Sequence, residues 1–448
     1  MSELFVPPLP PRDPNWLPSW RAMFGERMRS VVHGLPEPAF HVWHASGRLL
    51  NIRFHIVNRP STIGKVLLER HASYLRPELT RKLLKPSLGN GLLTAEGEDW
   101  RTQRKLVAPT FSPAAVAQLT PLMAEEAERR AGAFPAEKAP VDLAAVATET
   151  TMAIISRALF SGDPRLLSEE AGGHITRLVL AAGEPRFLRL LGYEAFDVSP
   201  RMAAVRSSRR WLRRTLGAIV DERGPDGGAD DFFGGLMRAF YADMPPAEAR
   251  SLAVDNAITF YAAGHETTAV ALAWSVYLLA AQPELQEALR AEAVAAPAGD
   301  VTSSPDRVPL LRAFLDETLR LYPPAAQIVR EAIGDDDLDG IRVGKGDHIV
   351  IYPWAVQRHR QLWDNPDAFD IDRFHDPKAI DRFQYLPFGA GPRICVGMRF
   401  ALVEALIILA HWLAARRFTL TKDPPPFPTG RVTLRPKGGM PLIVEPLG

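Results

Sequence analysis

Across residues 114–289, apolar residues recur three and four positions apart in a background of Ala, Leu, Arg and Glu, the spacing that lays an apolar stripe along a helix. A long succession of helices is predicted, broken at 221–231, where Gly-Pro-Asp-Gly-Gly cannot continue one. Pro245-Pro246 opens a helix that meets no further proline before Pro283; at ~1.5 Å per residue it would run about 55 Å. Strand-like runs are few: 47–53, 55–57, 340–343, 348–352, 431–434 and 441–444. They lie toward the two ends of the chain, so a small sheet has to join distant segments. The predicted fold class is mainly α with a small peripheral β region. It forms one large intertwined domain over residues 40–448, behind an N-terminal arm over 1–39.

Composition narrows this further. With 448 residues, 46% hydrophobic and 23% charged, the chain can bury a large core and is not a disordered chain. Its 40 prolines predict many stiff loops. The formal net charge of +1 gives no reason to expect nucleic acid as a partner. Residues 1–16 carry neither a basic cap nor an unbroken apolar run, so no signal peptide or membrane anchor is expected. Segments 257–281 and 400–415 are apolar enough to suggest membrane spans. The first carries His265, Glu266, Thr267 and Thr268, and the second is short and contains Glu404 and His411, so both read as buried helices. A single cysteine excludes an internal disulfide and any metal site built on two thiolates, and it suits a reducing, cytoplasmic location.

That cysteine lies in Phe388-Gly-Ala-Gly-Pro-Arg-Ile-Cys395-Val-Gly397, directly before an apolar-periodic helix expected over 398–416. Loop N–H groups and the positive end of the helix can stabilise a thiolate there. Glycines 389, 391 and 397 permit close approach of a flat ligand, and Arg393 can pair with an anionic group on it. An isolated free cysteine is more often a small buried hydrophobe. Here, however, the pattern Phe-x-x-Gly-x-Arg-x-Cys-x-Gly is complete, and in this loop the chain resembles the cytochrome P450 family of haem-thiolate monooxygenases. The resemblance implies haem b (iron protoporphyrin IX) as cofactor, Cys395 as its axial iron ligand, and Phe388 and Gly389 beside it.

Ala263-Gly-His-Glu-Thr-Thr268 falls in the middle of the long apolar helix, where polar groups are costly without partners. Gly264 removes a side chain so that something can lie against the helix. Thr267 can bond the Ala263 carbonyl one turn back, and Glu266 adds a titratable group. Alone, this could be a helix kink satisfied internally. Beside Cys395 it resembles the family's acid–alcohol pair, which implies that Thr267 handles dioxygen and donates through water. Glu266 would link the site to bulk protons, and Gly264 would face the cofactor. Reductive O–O cleavage needs two protons delivered to one oxygen, so such a relay is chemically required.

Glu317-Thr-Leu-Arg320 pairs opposite charges on one helical face, and Tyr322-Pro323-Pro324 stops that helix. The family's Glu-x-x-Arg is completed by a later arginine, which the resemblance places at Arg373, with Asp372 standing where a glutamate is usual. Trp100 and Arg104, four apart, resemble the family's segment over one haem edge; with Arg330 and Arg393 they are the expected propionate clamps. By position the pocket walls are Leu92, Leu93, residues 176–191, Phe260, Ala263, Ala326 and Val329 within 325–329, and Met440 within 437–440. An apolar small-molecule substrate is expected.

No flavin- or nicotinamide-binding segment is visible in the sequence. Electrons are therefore expected from a separate ferredoxin-type donor docking at Arg101, Lys105 and Arg399, with NAD(P)H acting only indirectly. The expected activity is hydroxylation, one atom of O2 entering a C–H bond. A peroxide-driven haem oxidase and a non-catalytic haem gas sensor are the alternatives.

Overall fold

The computed structural model describes residues 4–16, 21, 24–49, 51–183, 199–296, 307–430 and 432–447. Its longer helices are α1 (Glu78–Leu88), α2 (Gly97–Val107), α3 (Pro113–Gly132), α4 (Leu143–Phe160), α5 (Glu169–Gly183), α6 (Pro200–Arg223), α7 (Phe232–Asp243), α8 (Pro246–Ala281), α9 (Pro283–Ala295), α10 (Pro309–Leu321) and α11 (Met398–Ala415). The helical stretch predicted from periodicity is present. Its turn-rich break falls between Arg223 and Phe232, where Arg223 and Asp231 close the loop with an ion pair at 2.7 Å and Asp231 also caps α7.

Helix α8 is the axis of the molecule. It has 36 residues, starts on a proline that needs no N–H partner and ends at Gln282 before Pro283. Its mean composition is apolar on every face, so it has to be enclosed. Helices α4, α6, α7, α10 and α11 pack around it. Helices α4 and α11 are long and apolar enough to cross a membrane, but each has 67% of its residues buried inside the fold. They are core helices here.

The sheet joins the two ends of the chain, as the scattered strand signals require. Strands β1 (His44–Leu49), β2 (Ile52–Val57), β3 (Tyr74–Leu75), β5 (Ile328–Ala332) and β8 (His348–Ile351) form one sheet in the order β1-β2-β8-β5-β3. The β2–β8 pair is parallel, with His55 opposite Ile349. A second sheet sets β12 (Pro441–Pro446) between β4 (Ala139–Asp142) and β9 (Arg416–Leu420). Hairpins β6 (Asp336–Leu338) with β7 (Ile341–Val343), and β10 (Pro428–Thr429) with β11 (Arg435–Pro436), complete the β structure.

Two expected strands need correction. The run 47–53 is not one strand but straddles the turn from β1 to β2. Of 431–434, Arg431 lies outside the described residues, and 432–434 are not a strand. There the Leu434 N–H donates to the Pro324 carbonyl at 3.0 Å, and the Thr433 hydroxyl donates to Glu266, so these groups serve tertiary contacts instead of a ladder. Strands β3, β4, β5 and β9 had no signal in the periodicity, because they are short or interrupted by charged residues.

Candidate active site

Cys395 ends a tightly folded loop. Its N–H donates to the Phe388 carbonyl at 3.0 Å, and the Gly397 carbonyl receives the Ala401 N–H at 2.9 Å where α11 begins. Gly391 has φ +71°, and a Cβ there would stand 1.8 Å from the Leu67 carbonyl oxygen, so only glycine lets the loop seat on that segment. Gly389 also has a positive φ, +72°. Burial pushes the Cys395 thiol up, while the Gly397 N–H and the Arg104 guanidinium oppose that by favouring the thiolate. The residue is nevertheless exposed to solvent. Deep placement together with an accessible surface means that it faces a cleft inside the protein.

Arginines line the same region. Arg104 is half-buried on α2, with Cys395 the group that favours its charge. Arg393 ion-pairs with Glu96, donates to the Ala95 carbonyl at 3.2 Å and lies over the Trp100 ring at 4.2 Å. Trp100 is therefore the platform for one of the predicted clamps as well as a candidate itself. Arg330 on β5 is joined by Arg76, which follows β3 and has no motif around it in the sequence; only the pairing of β3 with β5 brings it here. Arg76 also donates to the Leu93 carbonyl. Burial, and after it the repulsion of Arg393, pulls Arg76 down to about 9 and Arg330 to about 10. Among the described residues, Glu96 is the carboxylate that offsets the pair. Three close, desolvated guanidiniums with one carboxylate are complementary to a dianionic group. A thiolate donor in the same cleft fits the iron of a porphyrin carrying two propionates.

Midway along α8 the enclosure opens. Ala263 is exposed and Gly264 and Thr267 are half-buried, whereas 252–262, 265, 266 and 268–280 are buried. Thr267 donates to the Ala263 carbonyl at 2.9 Å. Gly264 requires a correction: a Cβ there would meet Ile155 Cδ1 of α4 at 2.6 Å. The missing side chain accommodates a neighbouring helix and not a cofactor. Glu266 turns toward the C-terminal segment. Its Oε1 accepts from Thr433 and from both Nε (2.7 Å) and Nη2 of Arg435, whereas Oε2 is buried without a partner. Neither Thr433 nor Arg435 carries a signal in the sequence.

The predicted pocket residues divide. Ala263 is exposed, Leu93 is 38% exposed and Val329 is half-buried. Leu92, Phe260, Ala326 and Met440 are buried in the core. Phe260 is held in edge contacts by Phe111 and Phe232, and Met440 is pinned where its N–H meets Asp142 at 2.8 Å. The accessible neighbours are Ala325 and Val432, the latter 42% exposed. Both are tied to the site through the contacts of Thr433 with Glu266 and of Leu434 with Pro324. Of the expected wall at 176–191, residues 184–191 lie outside the described residues.

The charge network assembles. Arg320 and Glu317 are fully buried, joined by two hydrogen bonds at 2.6 and 2.7 Å, and Arg320 also donates to the carbonyls of Gln357, Pro366 and Ala368. Arg373 Nε lies 3.6 Å from Glu317 Oε1, and the Asp370 N–H donates to that oxygen at 2.9 Å. With every donor of Arg320 met and Arg373 paired to Glu317 by charge at longer range, the network fixes the segment that precedes the cysteine loop.

Comparison with known proteins agrees with this geometry. The family profile described as Cytochrome P450 matches residues 15–180 and 252–443. Cyclooctatin synthase of Streptomyces melanosporofaciens is 30% identical over 90% of this chain and 88% of its own length, and a cytokinin hydroxylase of Arabidopsis thaliana is 28% identical over 96% and 83%. The crystal structure of CYP175A1 from Thermus thermophilus superposes with a TM-score of 0.71 at 26% identity, covering 90% of this chain and 92% of that one. The cysteine loop, the opening midway along helix α8, the buried Glu317–Arg320 pair and these relatives place the chain in the cytochrome P450 family, as a haem-thiolate monooxygenase.

Proposed function

We propose that this monooxygenase hydroxylates an apolar small molecule, using haem b held by Cys395 and clamped at its propionates by Arg76, Arg104, Arg330 and Arg393. When bound, the haem supplies reductive activation of dioxygen, with the thiolate donating electron density. The protein's own contribution is to hold the thiolate, orient the substrate, exclude water and deliver protons. The observation that carries the reading is the opening at Ala263, Gly264 and Thr267 in a helix otherwise buried from Leu252 to Ala280, in a protein whose one cysteine faces an interior cleft.

The accessible residues among the expected walls and their neighbours are aliphatic: Ala263, Leu93, Ala325, Val329 and Val432. Such walls favour hydrocarbon over polar substrates. Thr267 presents a hydroxyl whose own hydrogen is directed at the Ala263 carbonyl, leaving its lone pairs available to accept from water or substrate. Glu266 offers its free Oε2 as a proton stop, while Arg435 and Thr433 hold the other oxygen still. Replacing Thr267 by Ala is expected to divert electrons from product to hydrogen peroxide while haem binding persists. Unchanged coupling would remove Thr267 from the relay. A library of terpenes, lipids and aromatics screened for a water-displacing shift of the haem absorption identifies the substrate class; a response confined to polar compounds would overturn the apolar assignment.

Electrons are supplied by a separate ferredoxin-type protein, and the enzyme works in the cytoplasm. Arg101 and Lys105 are exposed on α2, the helix whose Arg104 sits beside Cys395, and Arg399 is half-buried just beyond the cysteine loop. Arg101 is partly neutralised by Glu98 on its own helix. An acidic donor is thus directed to the face nearest the sulfur.

A further inference from the structure

Glu404 is the second acid in contact with α8, and the relay described above makes no use of it. It lies on α11, nine residues after Cys395, in the apolar run Leu402-Val-Glu-Ala-Leu-Ile-Ile-Leu409. Its side chain is fully buried, and neither carboxyl oxygen has a hydrogen-bond partner. The neighbouring polar group is the hydroxyl of Thr268, the residue after Thr267, close enough to favour the carboxylate slightly but not at hydrogen-bond geometry. Helices α3, α8, α9 and α10 and strand β9 pack on α11, and among the described residues none sends a charged side chain that bears on Glu404. Ser275, two turns beyond Thr268 and so on the same face of α8, also has a buried hydroxyl without a partner. An acid and two hydroxyls therefore lie in an otherwise apolar helix interface, and buried polar groups of this kind call for an explanation.

Resting on the monooxygenase reading above, we infer that Glu404 is a proton-holding residue of this enzyme, exchanging its proton with the Thr267 turn of α8 through the hydroxyl of Thr268. It is a positioning residue, since it acts through these hydroxyls and does not touch the haem. The step balances simply. The Glu404 O–H breaks as Thr268 Oγ gains that proton and passes its own to a water at the Thr267 turn, which becomes hydronium. The carboxylate left behind regains its proton from hydronium by the reverse exchange through Thr268, which leaves water, and nothing is oxidised or reduced.

The division of labour follows from the two environments. A proton on the free Oε2 of Glu266 neutralises the carboxylate that Arg435 pairs with, and so costs that ion pair. Glu404 has no such partner, and burial raises it to about 8, so it carries its proton through the neutral range.

The test uses the haem-loaded enzyme. Photolysis of its ferrous carbon-monoxide complex is followed by infrared difference spectroscopy in H2O and D2O, in the wild type and in Glu404→Gln, Glu404→Asp and Thr268→Val. The inference requires a protonated-carboxyl band that responds to photolysis, shifts in D2O, and is missing in Glu404→Gln. It also requires that Glu404→Gln lower coupled product formation on the order of tenfold and abolish the alkaline limb of its pH profile, with Glu404→Asp restoring the limb. A purely structural Glu404 would change the unfolding midpoint and leave both the band and the limb as they were, which overturns the inference. Absence of the band in the wild type overturns it without any variant. Loss of the thiolate–carbon-monoxide spectrum in the wild type would instead defeat the monooxygenase reading itself.

Discussion

Arg435 grips one oxygen of Glu266 and ignores the other. Nε donates to Oε1 at 2.7 Å, Nη2 and the Thr433 hydroxyl join it there, and Oε2 is left without a partner inside the protein. The acid beside Thr267 is thus anchored from a segment about 170 residues further along the chain, next to the accessible Val432.

Removing the cation while leaving the buried acid is therefore expected to destabilise the fold. Because Arg435 keeps part of its side chain in solvent, the loss in Arg435→Leu should be about 1–3 kcal/mol, below that of a fully buried pair. Adding Glu266→Gln should recover most of it. A double-mutant cycle of denaturant unfolding measures the coupling, and additive losses would show that the two groups do not depend on each other.

Gly264 faces Ile155, and this makes a packing prediction independent of haem. Gly264→Val should cost about 1–3 kcal/mol through overpacking of α4 against α8, and Ile155→Ala in the same chain should relieve part of that cost. If Gly264→Val instead left stability intact and blocked haem uptake, the glycine would be facing the cofactor after all.

The guanidinium cluster predicts opposite effects in the two states of the protein. Arg76→Gln removes a buried charge that Arg330 and Arg393 repel, so apoprotein stability should rise. It also removes a charge-assisted partner for a propionate, so haem should transfer to an acceptor apoprotein faster by at least about tenfold. Thermal unfolding of the apoprotein and the haem-transfer rate read the two directions separately.

Glu404 sets a pH dependence of stability whose sign follows from its shift. Its carboxyl stands at about 8 folded against 4.5 as the ordinary value, so the native state holds a proton that the unfolded chain has released. Its native-state advantage is complete below 4.5 and is lost as pH rises through the window up to 8, at roughly 1.4 kcal/mol per pH unit. The difference in unfolding free energy between Glu404→Gln and the wild type should therefore widen from about pH 5 to about pH 8. A constant difference across that range would mean that Glu404 is not protonated in the fold.

Much of this was readable from the chain because the relevant signals are local. The cysteine loop is a ten-residue pattern, α8 is bounded by prolines, and Glu317 and Arg320 are three apart on one helix. What escaped depends on distant pairings. Arg76 becomes part of the site only through β3 pairing with β5, and Thr433 and Arg435 reach Glu266 from beyond α11. Gly264 shows a different failure. A glycine in a motif reads the same whether a ligand or a neighbouring helix lies against it, and only Ile155 settles which. Leu92, Phe260, Ala326 and Met440, expected as pocket walls, are buried in the core for a related reason: position along the chain does not say which side of a backbone turns inward.

Binding of iron by the sulfur of Cys395 underlies every step above, and the carbon-monoxide difference spectrum of the reduced protein tests it. The wild type is predicted to show the thiolate-ligated band, and Cys395→Ser to lose it together with activity. A wild type whose reduced complex shows only a nitrogen-ligated haem, or a Cys395→Ser variant that keeps the thiolate band, would contradict it.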